Sequence, residues 1–362
     1  MGLRKVFDAV VYRDEGFYCG PGPSVAALPD GDLLVFFRGH RAWNKGILHM
    51  HYHPTTEQRV ARSQDGGRTW SEPRVLAAGG QCPCVTLLKD GTLLFVTHRW
   101  EPVPPRMREQ IPETPAFREQ PWPHLCVGTE VWRSEDGGER WQGPFWVDDV
   151  PGLEPAIEGC HAPVYLRGFI VELSDFTLAL PVYASGVGCI MVVSSDGGRT
   201  WQHRGRPARC APDSPLAFNE WTLQETPSGE LVAFMRSELP PERGGGWLHT
   251  ARSSDGGHSW SEPKREELWG YPHCPLAMPS GRVLLCYGYR REGRGVRCRL
   301  LDAECAQIAE AEEFVLRDDG VTSDLGYPHA CLLSDGRAMV AYYLHDREGA
   351  PPHVAVSLVE ES

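Results

Sequence analysis

The sequence lacks several features that would place a protein in a common functional class. It contains no apolar run of about 18 residues or more, so no transmembrane helix is predicted. The N-terminal stretch soon reaches Asp8, Arg13 and Asp14 and has no apolar segment of a signal peptide, which predicts a cytoplasmic protein. There is no Cys-x-x-Cys pair, EF-hand loop or Walker motif, so the motifs of common zinc, calcium and nucleotide sites are missing.

Positive charge is also scarce. The chain has 36 Lys and Arg residues against 48 Asp and Glu residues, which gives a net charge of −12. This balance argues against nucleic acid or an anionic membrane as the main partner, but it is compatible with a local basic pocket for an anionic substrate. The 12 cysteines are scattered, and without an export signal we expect reduced thiols in the core.

The most informative feature that is present is a motif that occurs four times. The pattern Ser-x-Asp-Gly-Gly-x-x-Trp occupies residues 63–70, 134–141, 194–201 and 253–260. Asp-Gly-Gly favours a tight turn, because the Asp side chain bonds nearby backbone N–H groups and each glycine can adopt positive φ. Four such turns at spacings of 71, 60 and 59 residues indicate a structural repeat with one supersecondary unit per step.

A second repeat consists of two apolar runs around a short turn that contains Asp-Gly, Ser-Gly or Ser-Asp. Such pairs are typical of β-hairpins. Six of them are found, at residues 24–37, 84–96, 162–184, 221–235, 274–287 and 330–343. The fifth pair is followed by a degenerate copy of the turn motif at 297–302, and the sixth by a closing strand at 353–358. The run 6–12 is then available as a further strand of the last unit.

The fourfold motif resembles the Asp-box, or BNR repeat, of the sialidase-type β-propellers. The resemblance covers almost the whole chain and implies an all-β fold in which each box joins two outer strands of a blade, far from the active site. Together with the six hairpins, it implies a single six-bladed β-propeller domain over residues 1–362. The N-terminal strand is expected to complete the last blade and so to close the ring.

Two long insertions interrupt the pattern and are expected to be functional loops or lids. Residues 38–58 are rich in histidine and arginine, and residues 101–124 are rich in proline and charge. Alternating His49, His51 and His53 would share one face of a strand, so a divalent ion there is an alternative. Otherwise no cofactor and no metal is predicted.

Candidate acid, base and binding groups lie at the starts of the predicted inner strands. In a propeller these strands converge on the central axis, so residues at the same position in different blades line one pocket. The group contains Glu, Tyr and His side chains, which often exchange protons in enzymes: His161, Glu220, Tyr271, His273, Tyr327 and His329. The three histidines with Glu220 are also an alternative site for an ion on the axis.

The resemblance to sialidases implies roles for some of these positions. Glu220 followed by Arg236 resembles a Glu–Arg pair of that family, and Tyr327 falls at the place of its tyrosine nucleophile. Arg294 resembles a further substrate-binding arginine, with Arg290 or Arg297 as rivals. The resemblance implies that arginines bind a substrate carboxylate and that Tyr327 attacks the anomeric carbon with Glu220 as its base.

The sequence departs from the sialidase pattern at two places. The first hairpin opens with Gly-Pro-Gly-Pro-Ser at residues 20–24, where the family carries an arginine. The loop 38–58 contains no Asp, although the family carries its acid/base aspartate there. Arg38 and Arg41 are candidates for the missing cation. The candidates for the missing acid are the histidines His49, His51 and His53.

Three functions are compatible with the sequence. The favoured one is a sialidase-like, exo-acting glycoside hydrolase that removes a terminal acidic sugar from an acidic glycan or oligosaccharide. The first alternative is a lyase for uronic-acid polysaccharides, in which the elimination is performed by His161, Tyr271, His273, His329 and Arg236. The second alternative is a non-catalytic propeller that binds glycans. The sequence gives no indication of oligomeric state.

Overall fold

The computed structural model describes residues 2–42, 53–114, 116–119, 123–239 and 245–362. These residues form 26 β-strands in six sheets, and the paired strands are antiparallel. The sheets follow one another along the chain as the blades of a ring, which confirms the prediction of an all-β, six-bladed β-propeller. Trp43, His49 and His51 of the histidine-rich insertion lie outside the described residues.

The first three blades are formed by residues 17–209, and each runs from a strand at the axis to a strand at the rim. Blade 1 comprises β2 (Phe17–Cys19), β3 (Ser24–Ala27), β4 (Leu33–Arg41), β5 (Glu57–Ser63) and β6 (Arg74–Ala78). Blade 2 comprises β7 (Gln81–Leu87), β8 (Leu93–Pro102), β9 (Phe117–Arg118), β10 (His124–Ser134) and β11 (Gln142–Trp146). Blade 3 comprises β12 (Val171–Glu172), β13 (Leu178–Ala184), β14 (Gly188–Ser194) and β15 (Gln202–Arg209).

The other three blades have four strands each. Blade 4 comprises β16 (Ala217–Glu225), β17 (Leu231–Glu238), β18 (Trp247–Ser253) and β19 (Lys264–Trp269). Blade 5 comprises β20 (His273–Ala277), β21 (Val283–Tyr289), β22 (Gly295–Leu301) and β23 (Glu313–Arg317). Blade 6 comprises β24 (Gly326–Leu332), β25 (Ala338–Leu344), β26 (His353–Glu361) and β1 (Leu3–Tyr12). The described residues include a 3-10 helix, Pro105–Gln110, but no helix long and apolar enough to cross a membrane.

The last blade combines strands from the two ends of the chain. β1 pairs with β26, from Leu3 opposite Glu361 to Tyr12 opposite Val354. The N-terminal strand is therefore the outer strand of blade 6. On the inner side, apolar side chains of blades 1 and 6 share one core cluster, which includes Val35, Phe37, Ala61, Met339, Ala341 and Val356.

Each copy of the Ser-x-Asp-Gly-Gly-x-x-Trp motif forms the turn between the last two strands of a blade, in blades 1 to 4. In the first copy the Asp65 carboxylate accepts hydrogen bonds from the backbone N–H groups of Arg68 and Thr69 at 3.0 and 2.9 Å. The Trp70 indole folds back and donates to the Gly67 carbonyl at 3.1 Å. Because these turns lie in the outer half of each blade, they stabilise the scaffold and lie away from the axis.

Two segments differ from the regular pattern. The innermost strand of blade 3 is only two residues long, and the preceding segment 162–170 is irregular apart from a bridge between Tyr165 and Tyr183. The insertion 101–124 is partly regular, because it contains the end of β8, the 3-10 helix, and β9, which pairs with β10. An irregular inner segment leaves blade 3 free to direct side chains across the axis.

The cysteines are free thiols, and nine of the twelve are buried. Burial raises the pKa of the Cys82 thiol to about 12, so this thiol is protonated at neutral pH. The thiolate is the reactive form of cysteine, so such buried thiols act as small apolar groups of the core.

Candidate active site

Three blades present a side chain from the same strained backbone position. Cys82, Glu220 and Tyr327 have φ values of 50°, 38° and 48°, in the left-handed region that non-glycine residues rarely adopt. Each coincides with a register irregularity near the start of the inner strand, in β7, β16 and β24. A residue held in this conformation costs about 1–3 kcal/mol, and such strain concentrates at functional sites. The end of the ring at which these inner strands begin is therefore the candidate site.

Glu220 and Tyr327 meet in a direct hydrogen bond between blades 4 and 6. The Tyr327 hydroxyl donates to Glu220 Oε1 at 2.6 Å, and both side chains are buried. Arg236, on β17, donates from Nη1 to Glu220 Oε2, and the same nitrogen lies 3.4 Å from the Tyr327 hydroxyl. The site thus joins a carboxylate, a guanidinium and a phenol.

Burial and neighbouring charges set the protonation of this pair. Burial, followed by the negative charge of Glu220, raises the pKa of Tyr327 far above its ordinary value. Burial also opposes ionisation of Glu220, but Arg236 and the hydrogen bond from Tyr327 outweigh burial and lower the pKa of Glu220. At neutral pH the pair is therefore a phenol and a carboxylate, the state in which a base can accept the proton of a nucleophile.

Arg236 is occupied by carboxylates of the protein itself. Its Nη1 contacts Glu220, and its Nη2 lies 3.0 Å from Glu238 Oε1. Its guanidinium also covers the ring of Tyr271, 4.3 Å from the centroid. The sequence prediction made Arg236 a ligand of the substrate. In the structure Arg236 holds the Glu220 carboxylate in position through Nη1, and its role as a substrate ligand stays a prediction.

Arg290 faces the pair and has no acidic partner among the described residues. Its guanidinium lies 4.7 Å from the ring centroid of Tyr271 and 5.4 Å from that of Tyr327. Nη2 donates to the Leu325 carbonyl at 3.1 Å, and within the described part of the chain Nε has no hydrogen-bond partner. Arg290 is therefore the best-placed cation for an anionic group of a ligand.

Arg38 lies where the first hairpin opens. It is buried on β4, and its Nε donates to the Gly20 carbonyl at 2.8 Å. A Cβ atom at position 20 would come within 2.5 Å of the Tyr343 ring, so this position has no room for a side chain. The guanidinium of Arg38 thus lies against the segment that opens the first hairpin, and its role as the missing cation stays a prediction.

The repeats and the geometry of the fold agree with a comparison of the chain with known protein families. The BNR repeat-like domain family matches residues 95–340, which is more than half of the chain. The chain belongs to the BNR repeat-like domain family.

One known relative of this BNR repeat-like protein is a sialidase. A sialidase of Micromonospora viridifaciens is 24% identical over 306 residues, which cover 77% of this chain and 43% of the relative. The chain therefore spans less than half the length of that curated relative. A solved structure of a protein of unknown function from Dyadobacter fermentans is 34% identical, with a TM-score of 0.89 and 100% coverage of both chains. A mutant of the NanB sialidase from Streptococcus pneumoniae shares the fold at 14% identity, with a TM-score of 0.66, 97% coverage of this chain and 70% of that chain.

Two arginines that were candidates for the site of the BNR repeat-like protein lie elsewhere. Arg294 is exposed on the turn before β22, and its carbonyl accepts a hydrogen bond from the Gly320 N–H at 2.9 Å. Arg297 donates to the carbonyls of Gly293 and Arg317 at 2.6 and 3.3 Å. Arg294 thus lies on the exposed β21–β22 turn, and Arg297 lies on β22, the third strand of blade 5, where two backbone carbonyls bind its guanidinium.

His161 also lies apart from the Tyr327–Glu220 pair. Its ring stacks on Trp146 with centroids 4.0 Å apart, and its Nδ1 lies 2.7 Å from Asp148 Oδ1. Its backbone N–H donates to the Val127 carbonyl on β10, the third strand of blade 2. This contact with outer strands explains why the side chain of His161 does not join the axial group that the sequence predicted.

His273 and His329 are buried, neutral side chains. Burial, followed by the charge of Arg236, lowers the pKa of His273 to about 3. Burial, followed by the charge of Arg167, lowers the pKa of His329 to about 3, and its Nδ1 accepts a hydrogen bond from the Val25 N–H at 3.2 Å. Within the described residues, no group of three or more His, Cys, Asp or Glu side chains is arranged to hold a metal ion.

Tyr271 lines a cavity of about 630 Å³ between blades 4 and 5. Arg236, Trp269 and Arg291 also contribute to its wall. Concave sites that combine aromatic rings with a few charged groups are typical of small-ligand pockets, and this volume lies within their usual range. Since Arg236 belongs both to this wall and to the Glu220 contact, the cavity adjoins the candidate catalytic pair.

Two residues near Tyr327 were missed by the sequence analysis. Arg167, in the irregular segment of blade 3, donates from Nη2 to the carbonyls of Tyr327 and Pro328 at 2.6 and 3.0 Å. No sequence signal marks Arg167, because this contact crosses between blades 3 and 6. Asp324 accepts a hydrogen bond from the Tyr343 hydroxyl at 2.6 Å. Its position three residues before Tyr327, in the loop that opens blade 6, is a signal that could have identified it.

Proposed function

We propose that this protein is a sialidase-like glycoside hydrolase that removes a terminal acidic sugar from a glycan. The observation that carries the proposal is the buried Tyr327–Glu220 pair, joined by a 2.6 Å hydrogen bond and held by Arg236. A phenol whose proton is already bonded to a carboxylate is suited to nucleophilic catalysis. Membership of the BNR repeat-like family and the sialidase among its relatives support the same chemistry.

The proposed reaction has two steps at one carbon. The oxygen of Tyr327 attacks the anomeric carbon while its proton passes to Glu220, and the leaving oxygen departs with its electron pair. Water then attacks the same carbon, and the Tyr327 oxygen leaves and recovers its proton from Glu220. A neutral nucleophile suits an anomeric carbon that already carries a carboxylate, because an anionic nucleophile would be repelled.

The preference for an acidic sugar is supported by the position of Arg290. Its guanidinium lies beside the ring of Tyr327 and has no ion pair within the described part of the chain. A guanidinium binds a carboxylate through two parallel hydrogen bonds, which gives both strength and orientation. Arg38 adds positive charge nearby, since the charges of Arg38 and Arg290 both act on the Tyr18 hydroxyl.

The cavity between blades 4 and 5 is a suitable place for the rest of the glycan. It adjoins the pair through Arg236 and offers the rings of Trp269 and Tyr271. Aromatic rings with adjacent charged groups can bind both the apolar faces and the hydroxyl groups of a sugar. An exo-acting enzyme needs such a second position, because the leaving group is the remainder of the chain.

The lyase alternative receives less support from the described side chains. It needs histidines that exchange protons at the substrate, but His161 stacks on Trp146 towards the outer strands of blade 2. His273 and His329 are buried, and the pKa of each is lowered to about 3, so neither is a strong base. We therefore propose the hydrolase alone.

The proposal is tested by turnover of an aryl sialoside and of aryl glucuronides, with the wild type beside Tyr327→Phe and Glu220→Gln. We expect release of the aryl alcohol by the wild type and a loss of about 1,000-fold or more in each variant, because the nucleophile or its base is removed. Tyr12→Phe is the matched control, since its hydroxyl lies on outer strand β1 and contacts Asp14 and Arg59.

Two results would count against the hydrolase. Full activity of Tyr327→Phe would show that the Tyr327 hydroxyl is not the nucleophile. Ultraviolet-absorbing unsaturated product from uronate oligosaccharides, with no release of aryl alcohol, would identify a lyase. Binding of acidic glycans by the wild type with no turnover of any substrate would instead indicate the non-catalytic propeller.

A further inference from the structure

A second polar cluster borders Tyr327 on the side of blades 6 and 1, and the proposed reaction does not yet use it. We name it the Asp324 cluster, and it consists of Asp324, Tyr18, Tyr343 and His345. The Tyr343 hydroxyl donates to Asp324 Oδ1 at 2.6 Å, and the Tyr18 hydroxyl donates to Oδ2. His345 Nε2 lies 3.4 Å from the same Oδ2. One carboxyl group therefore collects three polar side chains from β2, from β25 and from the residue that follows β25.

The Asp324 cluster is adjacent to the proposed nucleophile. The rings of Tyr343 and Tyr327 have centroids 6.0 Å apart. Arg290, which lies beside Tyr327, donates to the carbonyl of Leu325, the residue that follows Asp324. The Asp324 side chain is 20% exposed, whereas Tyr18 and Tyr343 are buried. The carboxyl group is thus the solvent-accessible end of a buried polar network next to Tyr327.

The two contacts of His345 suit the Asp324 cluster to hold and release a proton. Its Nδ1 lies 3.2 Å from the Ala350 carbonyl, which can only accept, so Nδ1 carries a hydrogen. With its hydrogen on Nδ1, the neutral imidazole has a lone pair on Nε2. A hydrogen bond between Nε2 and Asp324 Oδ2 then needs one further proton, either on Nε2 or on the carboxyl group. The Asp324–His345 contact is therefore placed to carry one proton at the edge of the site.

Glycoside hydrolysis needs such a proton, because the leaving oxygen must be protonated as its bond to the sugar breaks. Glu220 is not free for this task in the proposed reaction, since it accepts the proton of Tyr327. The insertion 38–58 contains no Asp. We propose that Asp324, coupled to His345, is the acid/base of the leaving group; this inference rests on the proposed function.

The proposed proton transfers balance over the two steps. In the first, the proton shared by Asp324 and His345 moves to the glycosidic oxygen, which keeps the electron pair of its broken bond to the anomeric carbon. In the second, water bonds to that carbon and returns a proton to the Asp324 carboxylate. Tyr18 and Tyr343 stabilise the carboxylate between the two steps by donating their hydrogen bonds to it.

The experiment compares two leaving groups on one sugar. The sugar is N-acetylneuraminic acid or glucuronic acid, whichever the wild type hydrolyses, and the substrates are its nitrophenyl glycoside and its disaccharide with galactose. A nitrophenolate is a weak base and leaves without a proton, whereas a sugar alkoxide does not. For Asp324→Asn we expect a loss of about 100-fold or more in kcat on the disaccharide, but of less than about tenfold on the nitrophenyl glycoside.

Two further variants make the result decisive. His345→Gln keeps the Asp324 carboxylate but cannot share its proton, so we expect the same selective loss on the disaccharide. If thermal unfolding shows that Asp324→Asn does not fold, His345→Gln alone still tests the role of the Asp324 cluster. Asp335→Asn is the matched control, because it makes the same change in the β24–β25 turn, where Asp335 pairs with Arg337. We expect wild-type rates from it on both substrates.

The outcomes separate this inference from the proposed function. Equal losses on both substrates, or no loss on either, in folded Asp324→Asn and His345→Gln would overturn the role of Asp324 while the hydrolase stands. A wild-type protein that turns over neither substrate would overturn the proposed function and with it the inference. Selective loss of activity on the disaccharide in both variants supports the hydrolase and the role of Asp324.

Discussion

At the scale of single residues, the candidate site depends on which partner each arginine already has. Arg236 contacts Glu220 and Glu238. Its positive charge lowers the pKa of Glu220 and holds that carboxylate in position. Arg290 lies between two aromatic rings and has no ion pair among the described residues. The same residue type therefore has two tasks here, and only the second leaves a cation available to a ligand.

Arg167 shows a third task, because it stabilises the strained backbone of Tyr327, the proposed nucleophile. Its buried guanidinium donates to the carbonyls of Tyr327 and Pro328, and it lies 5.3 Å from the centroid of the Tyr327 ring. Within the described residues no carboxylate forms an ion pair with it. A buried hydrogen bond to a charged donor contributes about 1.5–3 kcal/mol, which is comparable to the cost of the positive φ of Tyr327. Arg167 thus offsets the strain that directs the phenol towards Glu220.

The role of Arg290 gives a prediction at this scale. Arg290→Gln should lower kcat/KM on an acidic sugar by roughly 10- to 100-fold, because a charge-assisted hydrogen bond to the carboxylate is lost. On the matching sugar whose carboxylate is reduced to an alcohol, the variant and the wild type should differ by less than about threefold. Steady-state kinetics on both aryl glycosides measure the difference.

Arg294→Gln is the matched control for this prediction. Arg294 lies only four residues further along the chain, but it is exposed on the turn before β22. We expect wild-type kinetics on both glycosides. A loss on the acidic sugar in Arg294→Gln, with none in Arg290→Gln, would show that the substrate carboxylate lies elsewhere.

At the scale of elements, the inner strands of alternate blades share one irregularity. β7, β16 and β24 each shift register near their start, and the residue at the shift has positive φ. An extra residue in a strand bends it and redirects a side chain. This repeated bulge brings the side chains of Glu220 and Tyr327 together, although a regular strand would alternate its side chains between the two faces of the blade.

The outer turns give a prediction about acid stability. Hydrogen bonds, first from the Thr69 hydroxyl and then from its N–H, lower the pKa of Asp65 to about 2. In the unfolded chain an Asp has a pKa of about 3.9. Because the folded value is depressed, the contribution of Asp65 to stability is present above about pH 4 and is lost as the pH falls towards 2. Asp65→Asn should therefore reduce the dependence of the unfolding free energy on pH in this range.

Urea unfolding between pH 2 and pH 7 measures this effect. The control is Asp213→Asn, since Asp213 is exposed in the turn before β16. We expect this control to keep the pH dependence of the wild type. If Asp65→Asn and the wild type lost stability in parallel as the pH fell, the turn would not be a source of the acid sensitivity.

At the scale of the whole molecule, the two ends of the chain are held in one sheet. β1 pairs with β26 along the outer edge of blade 6, and the apolar residues of β1 pack on the core cluster of blades 1 and 6. Without β1, blade 6 would lack its outer strand and leave the edge of β26 unpaired. The stability of the ring therefore depends on this pairing. The site between blades 4, 5 and 6 therefore depends on a strand that lies far from it along the chain.

Removal of residues 2–12 tests this dependence. We expect the free energy of unfolding to fall by roughly 5 kcal/mol or more, because several buried or half-buried apolar side chains each contribute about 1–3 kcal/mol. Val10→Ser in the full chain is the control, because Val10 is 48% exposed on the same strand. Thermal and urea unfolding should separate the two variants. An unchanged unfolding midpoint in the truncated chain would show that β1 does not contribute to the stability of the ring.

The fold could be predicted from the sequence because local signals that repeat along the chain encode it. Each Asp-Gly-Gly turn satisfies its own backbone groups within seven or eight residues, so its chemistry is readable wherever the motif occurs. The six hairpins follow from apolar runs around short turns in the same way. The sequence also identified Glu220 and Tyr327 as members of one group, since both occupy the start of an inner strand.

Packing between blades sets which side chains of that group meet and which arginines have no acidic partner, so neither could be predicted from the sequence. The Tyr327–Glu220 hydrogen bond joins residues 107 positions apart, and Arg167 reaches the site through a contact between blades 3 and 6. A shift of one residue in a strand moves a side chain to the opposite face, and the bulges that make this choice have no unique local signature. Turns are fixed by the residues within them, whereas an active site is fixed by the packing of whole blades.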